Sequence, residues 1–131
     1  MKDKILYADD EETLRRALGM VLKIEFPELD IEPFKDGSSL EKRLNESLEG
    51  VRLVITDNDM PGVNGSTLIM NYAQKTGFEN IPFILFSGGD ESIGREFVKK
   101  HRAYAYVTKG IGYRDLIKIA GRALKSRVSS Q

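Results

Sequence analysis

The chain alternates five short apolar segments with stretches of helical periodicity, and this alternation restricts its fold more than any other feature. The first, third and fourth segments are almost continuously apolar, which is typical of parallel strands that helices cover on both faces. The second and fifth segments are more mixed in polarity, as edge strands are. The five predicted strands cover residues 5–8, 29–34, 51–55, 82–86 and 103–107.

Each predicted strand is followed by an apolar stripe that repeats every three or four residues, as on one face of a helix. Ser38 and Glu41 have the spacing of a capping box and predict where the second helix begins. A strand–helix unit repeated five times predicts an α/β fold, a doubly wound parallel sheet of five strands flanked by five helices in three layers. The stripes begin at Leu14, Leu40, Leu68, Ile93 and Tyr113.

Composition narrows the function by exclusion. Lys and Arg number 20, as do Asp and Glu, so the net charge is zero and no global field attracts nucleic acid or an anionic membrane. The absence of cysteine and the single histidine, His101, exclude thiolate and histidine-rich metal sites. No apolar segment is long enough for a membrane span or a signal peptide, so we expect a cytoplasmic protein. The length suits one domain, placed at residues 1–128, with a tail at 129–131.

The residues that directly follow the predicted strands carry most of the chemistry. Asp9 and Asp10 follow the first strand, Asp57 the third, Ser87 the fourth and Lys109 the fifth. Each of them alone is most simply a helix cap, a turn residue or a solvated side chain. Together they are expected to meet at one edge of the sheet, because ligands of open α/β sheets bind beyond the carboxyl ends of the strands.

Several carboxylates at that edge require a cation. Two carboxylates about 4 Å apart repel each other by roughly 4 kcal/mol at an effective dielectric constant near 20. This repulsion is large against a total domain stability of about 5 to 15 kcal/mol. With oxygen ligands and no thiolate, the cation that fits is Mg²⁺, which takes a few carboxylates and keeps waters that a phosphate can replace.

Four motifs fall in order at the ends of the predicted strands: Asp9-Asp10, residues 53–62 (LVITDNDMPG), Phe86-Ser87-Gly88 and Tyr106-Val107-Thr108-Lys109. Together they resemble the receiver domain of bacterial two-component response regulators, and the chain is similar in size and layout to the single-domain chemotaxis members of that family. The resemblance runs from Lys4 to about Arg127 and implies a flavodoxin-like sandwich with the strand order 2-1-3-4-5.

The resemblance implies a phosphoryl-accepting site. Asp57 would be the nucleophile that takes a phosphoryl group from a histidine kinase or phosphotransfer protein, or from a small acyl phosphate. Asp10 and Asp57 would ligate Mg²⁺, with Asp9 acting directly or through water and the backbone carbonyl of Asp59 completing the set. Lys109 would pair with the phosphoryl group. This agrees with the needs of phosphoryl transfer, which are an in-line nucleophile and cations that neutralise the equatorial oxygens.

The resemblance also implies a switch and not an enzyme with an external substrate. Ser87 would hydrogen-bond the phosphoryl group and move toward it, and Tyr106 would rotate inward and remodel the face formed by the fourth helix, fifth strand and fifth helix. The sequence contains no helix-turn-helix or catalytic domain, so we expect the chain either to signal by contact with another protein or to be a receiver domain cut from a longer protein, with no direct role for nucleic acid or membrane. The chain would be a monomer or a phosphorylation-dependent dimer.

One position departs from the family pattern. Receiver domains usually carry a proline with a cis peptide bond after the lysine, whereas Lys109 is followed by Gly110. A cis bond before a residue other than proline costs about 2.5 to 4 kcal/mol, so we expect a trans bond and a looser loop.

Two alternatives share parts of this pattern. Asp57-Asn58-Asp59 also resembles the first motif of haloacid dehalogenase-like phosphatases, with Asp57 as nucleophile and Asp59 as general acid. That family places its metal-binding acid pair after the lysine, whereas Asp9 and Asp10 come before every other motif here. A flavodoxin-like mononucleotide binder shares the predicted architecture, but three acids at the binding edge would repel a bound phosphate unless a metal intervened.

Overall fold

The computed structural model describes residues 2–89, 91–110 and 112–129, and within them strands and helices alternate along the chain. All strand pairs are parallel, and the strand order is β2-β1-β3-β4-β5. The strands are β1 (Lys4–Ala8), β2 (Asp30–Phe34), β3 (Val51–Thr56), β4 (Phe83–Ser87) and β5 (Ala105–Thr108). The helices are α1 (Glu12–Glu25), α2 (Gly37–Leu44), α3 (Gly65–Tyr72), α4 (Glu91–His101) and α5 (Arg114–Ser129).

This architecture confirms the predicted fold class and strand order. The strand ends differ slightly from the prediction, because three strands continue for one polar residue beyond the apolar segment: Thr56, Ser87 and Thr108. Ser87 is paired with Thr108 in the ladder between β4 and β5. Backbone hydrogen bonding continues regardless of side-chain polarity, so an apolar run marks the buried part of a strand and not its last residue.

The predicted capping box at the start of the second helix is wrong. The N-cap of α2 is Asp36, whose carboxylate accepts a hydrogen bond of 2.7 Å from the backbone N–H of Ser39. Gly37 is the first helical residue, and the Glu41 carboxylate accepts a hydrogen bond from the Tyr72 hydroxyl instead. An aspartate is as good a cap as a serine, and spacing alone did not distinguish the two.

Alternating side chains of the strands fill two separate cores. On β1, Leu6 belongs to the core covered by α2, α3 and α4, whereas Ile5 and Tyr7 belong to the core covered by α1 and α5. The three predicted layers are therefore present, and the central strands are buried on both sides. The polar residues that follow these strands lie beyond the two cores, at the edge of the sheet.

Three further expectations concern the ends and surroundings of the chain. The described helices include none that is both long enough and apolar enough to cross a membrane. Ser129, placed by prediction in the tail, is the last residue of α5. Ser130 and Gln131 of that tail, and Met1 of the predicted domain, lie outside the described residues. The boundary at residue 128 stays a prediction.

Candidate functional site

The sheet places two aspartates side by side just beyond β1 and β3. The backbone N–H of Asp57 donates to the carbonyl of Ala8 at 2.9 Å, and that of Asp9 donates to the carbonyl of Phe34 at 3.1 Å. The hydrogen bonding of the sheet thus continues one residue beyond each strand. Both side chains are buried, with Asp9 3% and Asp57 7% exposed. Their positions are fixed by the central strands and not by a flexible loop.

The segment after Asp57 is also tightly constrained. Position 65, the first residue of α3, lies so close to the backbone carbonyl of Asp57 that any Cβ there would collide with it. The buried Thr56 hydroxyl donates to the same carbonyl at 2.8 Å, and the backbone N–H of Asn58 donates to the Asp57 carboxylate at 2.7 Å. Gly65 therefore allows α3 to begin directly against the site. The Asn58 hydrogen bond uses Oδ1 of Asp57, so the second carboxylate oxygen, Oδ2, can face other partners.

That second oxygen faces Lys109. The Lys109 ammonium lies 3.2 Å from Oδ2 of Asp57 and 3.1 Å from Oδ2 of Asp9. The backbone N–H of Lys109 donates to the carbonyl of Ser87 at 2.8 Å, which ties the start of the loop to the end of β4. No cis peptide bond occurs in the described residues, so the predicted trans bond between Lys109 and Gly110 is confirmed.

Burial and charge shift the pKa of both partners. Burial raises the pKa of the Asp57 carboxyl above its ordinary value; the Lys109 ammonium partly offsets this, and the Asp9 carboxylate adds to it. Burial acts to lower the pKa of Lys109, but the Asp57 and Asp9 carboxylates outweigh it and leave that pKa raised. Lys109 is therefore charged at neutral pH, whereas the ionised form of Asp57 is incompletely compensated.

The third acid completes a cluster that suits a hard cation. One carboxylate oxygen each of Asp9, Asp10 and Asp57 lie within 4.8 Å of one another, and Asp10 is exposed. One ammonium cannot neutralise three carboxylates. The donor set consists of oxygens with one side open to solvent, which matches the preference of Mg²⁺ for a few carboxylates plus waters. The residues present therefore fit the predicted ion.

The remaining predicted residues lie around this cluster at different distances from it. Ser87 is buried at the end of β4, next to the Lys109 backbone. Tyr106 lies on β5 and is half-buried, and its ring lies against Gly94 of α4 so closely that a Cβ there would collide with it. Asp59 is exposed in the loop after β3 and is not a member of the three-carboxylate cluster.

The sequence analysis missed several residues that shape the site. The Arg15 guanidinium donates to the backbone carbonyl of Asp9 at 2.9 Å. The ring of Phe86 lies beneath the Lys109 ammonium, and Tyr113 packs against that ring. Arg15 looks like an exposed helix residue and Phe86 like a core residue, so composition gave no signal. Gly94 did give one, since a glycine inside an amphipathic helix is unfavourable without a packing reason.

Comparisons with known proteins agree with this geometry. A sequence profile described as the response regulator receiver domain matches residues 5–120. A comparison with curated proteins found no significant match.

Solved structures of receiver domains resemble the chain over almost its whole length. One is a response regulator receiver domain protein from Clostridium thermocellum, with 22% identity, a TM-score of 0.84 and coverage of 98% of this chain and 99% of that one. A second is a CheY-like receiver protein from Methanospirillum hungatei, with 21% identity, a TM-score of 0.81 and 100% coverage of both chains. A third is the response regulator TrrA from Thermotoga maritima in complex with Mg²⁺ and BeF, with 27% identity, a TM-score of 0.75 and coverage of 95% and 100%.

The structural neighbours share the fold, and the sequence profile extends across every strand that contributes to the acidic edge. The chain, with its carboxylate cluster beyond β1 and β3, therefore belongs to the response regulator receiver domain family.

Proposed function

We propose that this chain is a phosphorylation switch in which Asp57 accepts a phosphoryl group from a histidine kinase or phosphotransfer protein. As a receiver domain of two-component signalling, it is a signalling domain and not a classical enzyme. The observation that carries the proposal is the buried Asp57 carboxylate, with one oxygen bonded to the Asn58 backbone and the other 3.2 Å from the Lys109 ammonium. In this proposal the phosphoryl transfer to Asp57 takes place in the cytoplasm.

Asp9, Asp10 and Asp57 are the residues that would hold Mg²⁺, and the backbone carbonyl of Asp59 is proposed as a further ligand. Receiver domains bind Mg²⁺ at an acidic pocket, and the TrrA structure is a complex with Mg²⁺ and BeF. The ion would supply positive charge at the oxygens of the transferred phosphoryl group. The support in this chain is that three carboxylates converge within 4.8 Å with a single ammonium among them.

In the proposed reaction, a carboxylate oxygen of Asp57 attacks phosphorus in line with the leaving group. A phosphorus–oxygen bond to Asp57 forms as the bond to the donor nitrogen or oxygen breaks, and the product is an acyl phosphate. Lys109 moves from pairing with the Asp57 oxygen to pairing with the phosphoryl group. Ser87 is proposed to donate a hydrogen bond to a phosphoryl oxygen, and its burial at the end of β4 supports this role.

The output is proposed to be a change in the face formed by α4, β5 and α5, with Tyr106 as the residue that moves. The Tyr106 ring contacts Gly94 of α4, and its hydroxyl lies 2.8 Å from where a Cβ of Gly89 would be, two residues after Ser87, which supports a link between the site and this face. The phosphatase alternative is not favoured, because the chain belongs to the receiver family and its candidate general acid, Asp59, is exposed outside the carboxylate cluster.

The proposal is tested by incubating the protein with acetyl phosphate and Mg²⁺ and recording the intact mass. We expect wild type to gain the mass of one phosphoryl group and Asp57→Asn to gain none. Asp59→Asn is the matched control, since it removes an exposed carboxylate of the same loop and should leave phosphorylation in place. A wild-type mass that never changes, or an equal gain in Asp57→Asn, would contradict the proposal.

A further inference from the structure

The loop after Lys109 has two glycines among its described residues. These are Gly110 and Gly112, and a Cβ at either position would have no heavy atom of the described chain within 4 Å, apart from its immediate chain neighbours. Gly112 has a φ of 75°, which glycine adopts without strain. A cavity of about 220 Å³ lies beside the Lys109 side chain. Backbone and packing therefore leave the long, flexible lysine side chain room to move.

Two neighbouring aromatic rings, those of Phe86 and Tyr113, lie close to the Lys109 side chain. The Lys109 ammonium is 5.6 Å from the centroid of the Phe86 ring, over its face. The Phe86 and Tyr113 rings are 6.1 Å apart and tilted by 52°. Phe86 is only 5% exposed and belongs to the core covered by α1 and α5, whereas Tyr113 is half-buried at the wall of the cavity.

We propose that Phe86, held by Tyr113, is a positioning residue that fixes the Lys109 ammonium between Asp9 and Asp57. The face of an aromatic ring attracts a cation within about 6 Å, and the attraction strengthens when water is excluded. The Phe86 ring and the carboxylates of Asp9 and Asp57 all attract the same ammonium. The glycine-rich loop does not need to be rigid, because the charged end of the side chain is held directly.

This inference rests on the proposed function and extends it, because Lys109 is the residue proposed to pair with the phosphoryl group that Asp57 accepts. Its first test does not depend on phosphorylation. In metal-free wild type, the ε-methylene protons of Lys109 should resonate upfield of ordinary lysines, because the ammonium to which they are bonded lies over the shielding face of Phe86. Phe86→Leu should abolish this shift, since leucine keeps an apolar side chain but has no ring current.

Phe83→Leu is the matched control for Phe86→Leu. Phe83 lies on the same strand, is 1% exposed and packs in the opposite core, on Phe78. Phe83→Leu should lose about as much stability as Phe86→Leu and leave the NMR signals of Lys109 unchanged. Lys109 signals at ordinary positions in wild type, or an equal change in both variants, would overturn the inference.

The second test measures the rate of phosphorylation by acetyl phosphate. We expect Phe86→Leu to be about three- to tenfold slower than Phe83→Leu, with unchanged affinity for Mg²⁺ because the carboxylates are intact. Tyr113→Leu should slow phosphorylation less than Phe86→Leu does. Tyr113→Phe should keep the wild-type rate, since it keeps the ring. Equal rates in Phe86→Leu and Phe83→Leu would refute the positioning role. If acetyl phosphate does not phosphorylate wild type at all, the proposed function fails. The NMR signals of Lys109 then test the positioning role of Phe86 by themselves.

Discussion

At the scale of single residues, the site depends on one poorly compensated charge. Asp57 is buried beside another carboxylate, and the Lys109 ammonium and the backbone N–H of Asn58 oppose the repulsion. These side chains could be predicted from the sequence, because each directly follows an apolar strand and parallel strands end at one edge. Their individual environments could not, since the burial of Asp57 and the contact of Lys109 with Phe86 depend on packing between distant elements.

The charge on Asp57 should make the protein less stable above its pKa. Because burial raises that pKa in the folded state above 3.8, the folded state binds more protons than the unfolded state in the pH range just above 3.8. Stability therefore falls as the pH rises from 3.8 through the raised pKa of the folded state, and the loss persists at higher pH. In metal-free buffer, Asp57→Asn should have a higher free energy of unfolding than wild type at pH 7 and no advantage below pH 3.8, as measured by urea unfolding.

Asp115→Asn on the exposed face of α5 provides the comparison. Asp115 lies in the first turn of α5, so its loss of charge should lower the free energy of unfolding by no more than about 1 kcal/mol at pH 7, the opposite sign to the change expected for Asp57→Asn. An Asp57→Asn variant that is less stable than wild type at pH 7 would show that the ion pair with Lys109 outweighs the burial of the carboxylate.

A bound Mg²⁺ should reverse the penalty. An ion that binds only the folded state at 100 times its dissociation constant adds about 2.7 kcal/mol to the free energy of unfolding. Added Mg²⁺ should raise the thermal unfolding temperature of wild type. Asp10→Asn should need at least about tenfold more Mg²⁺ for the same increase, because it lacks one carboxylate.

Asp59→Asn distinguishes a carbonyl ligand from a side-chain ligand. It keeps the backbone carbonyl, so its Mg²⁺ affinity should remain within about threefold of wild type. Equal loss of affinity in Asp10→Asn and Asp59→Asn would argue against the proposed ligand set.

At the scale of elements, α4 is shaped to receive Tyr106. Gly94 lies inside α4 with the tyrosine ring against its Cα, and the tyrosine hydroxyl lies 2.8 Å from where a Cβ of Gly89 would be. Glycine inside a helix costs roughly 0.5 to 1 kcal/mol relative to alanine, so the cost is offset here by the aromatic contact. The sequence shows the glycine, but only the fold shows which ring covers it.

Replacing Gly94 should therefore not give the usual gain. Gly121→Ala in α5, where a Cβ meets open space, should stabilise the protein by about 0.5 to 1 kcal/mol. Gly94→Ala should give no gain or a loss and should displace the Tyr106 ring, which is visible as a change in its aromatic proton signals. Equal stabilisation by the two variants, with unchanged Tyr106 signals, would contradict the assigned contact.

The edge strand β2 shows a second element-scale feature. The N–H of Asp30 and the carbonyl of Phe34 bond toward β1, so by the two-residue period of a strand Pro33 faces the open edge. Proline has no N–H to offer there, which opposes pairing with another strand. The mixed composition of this segment correctly indicated an edge, although periodicity alone did not reveal which side of Pro33 was exposed.

At the scale of the whole molecule, a neutral chain contains a strongly acidic edge. Equal numbers of acids and bases excluded a global attraction to polyanions, but the strand order brings Asp9, Asp10 and Asp57 within 4.8 Å of one another. The fold class and strand order were predictable, because five apolar segments with intervening helical stripes admit few arrangements. The N-cap at Asp36 was not, because spacing alone did not distinguish it from Ser38. The contact of Tyr106 with Gly94 was not, because it joins two different elements, β5 and α4.

The central claim, that Asp57 and no neighbouring acid accepts the phosphoryl group, is tested most directly by locating the modified residue. The phosphorylated protein is reduced with borohydride, which converts an aspartyl phosphate to homoserine, and is then digested and sequenced by mass spectrometry. The account predicts homoserine at position 57, with Asp9, Asp10 and Asp59 intact. Homoserine at any of those three positions, with Asp57 unmodified, would contradict it.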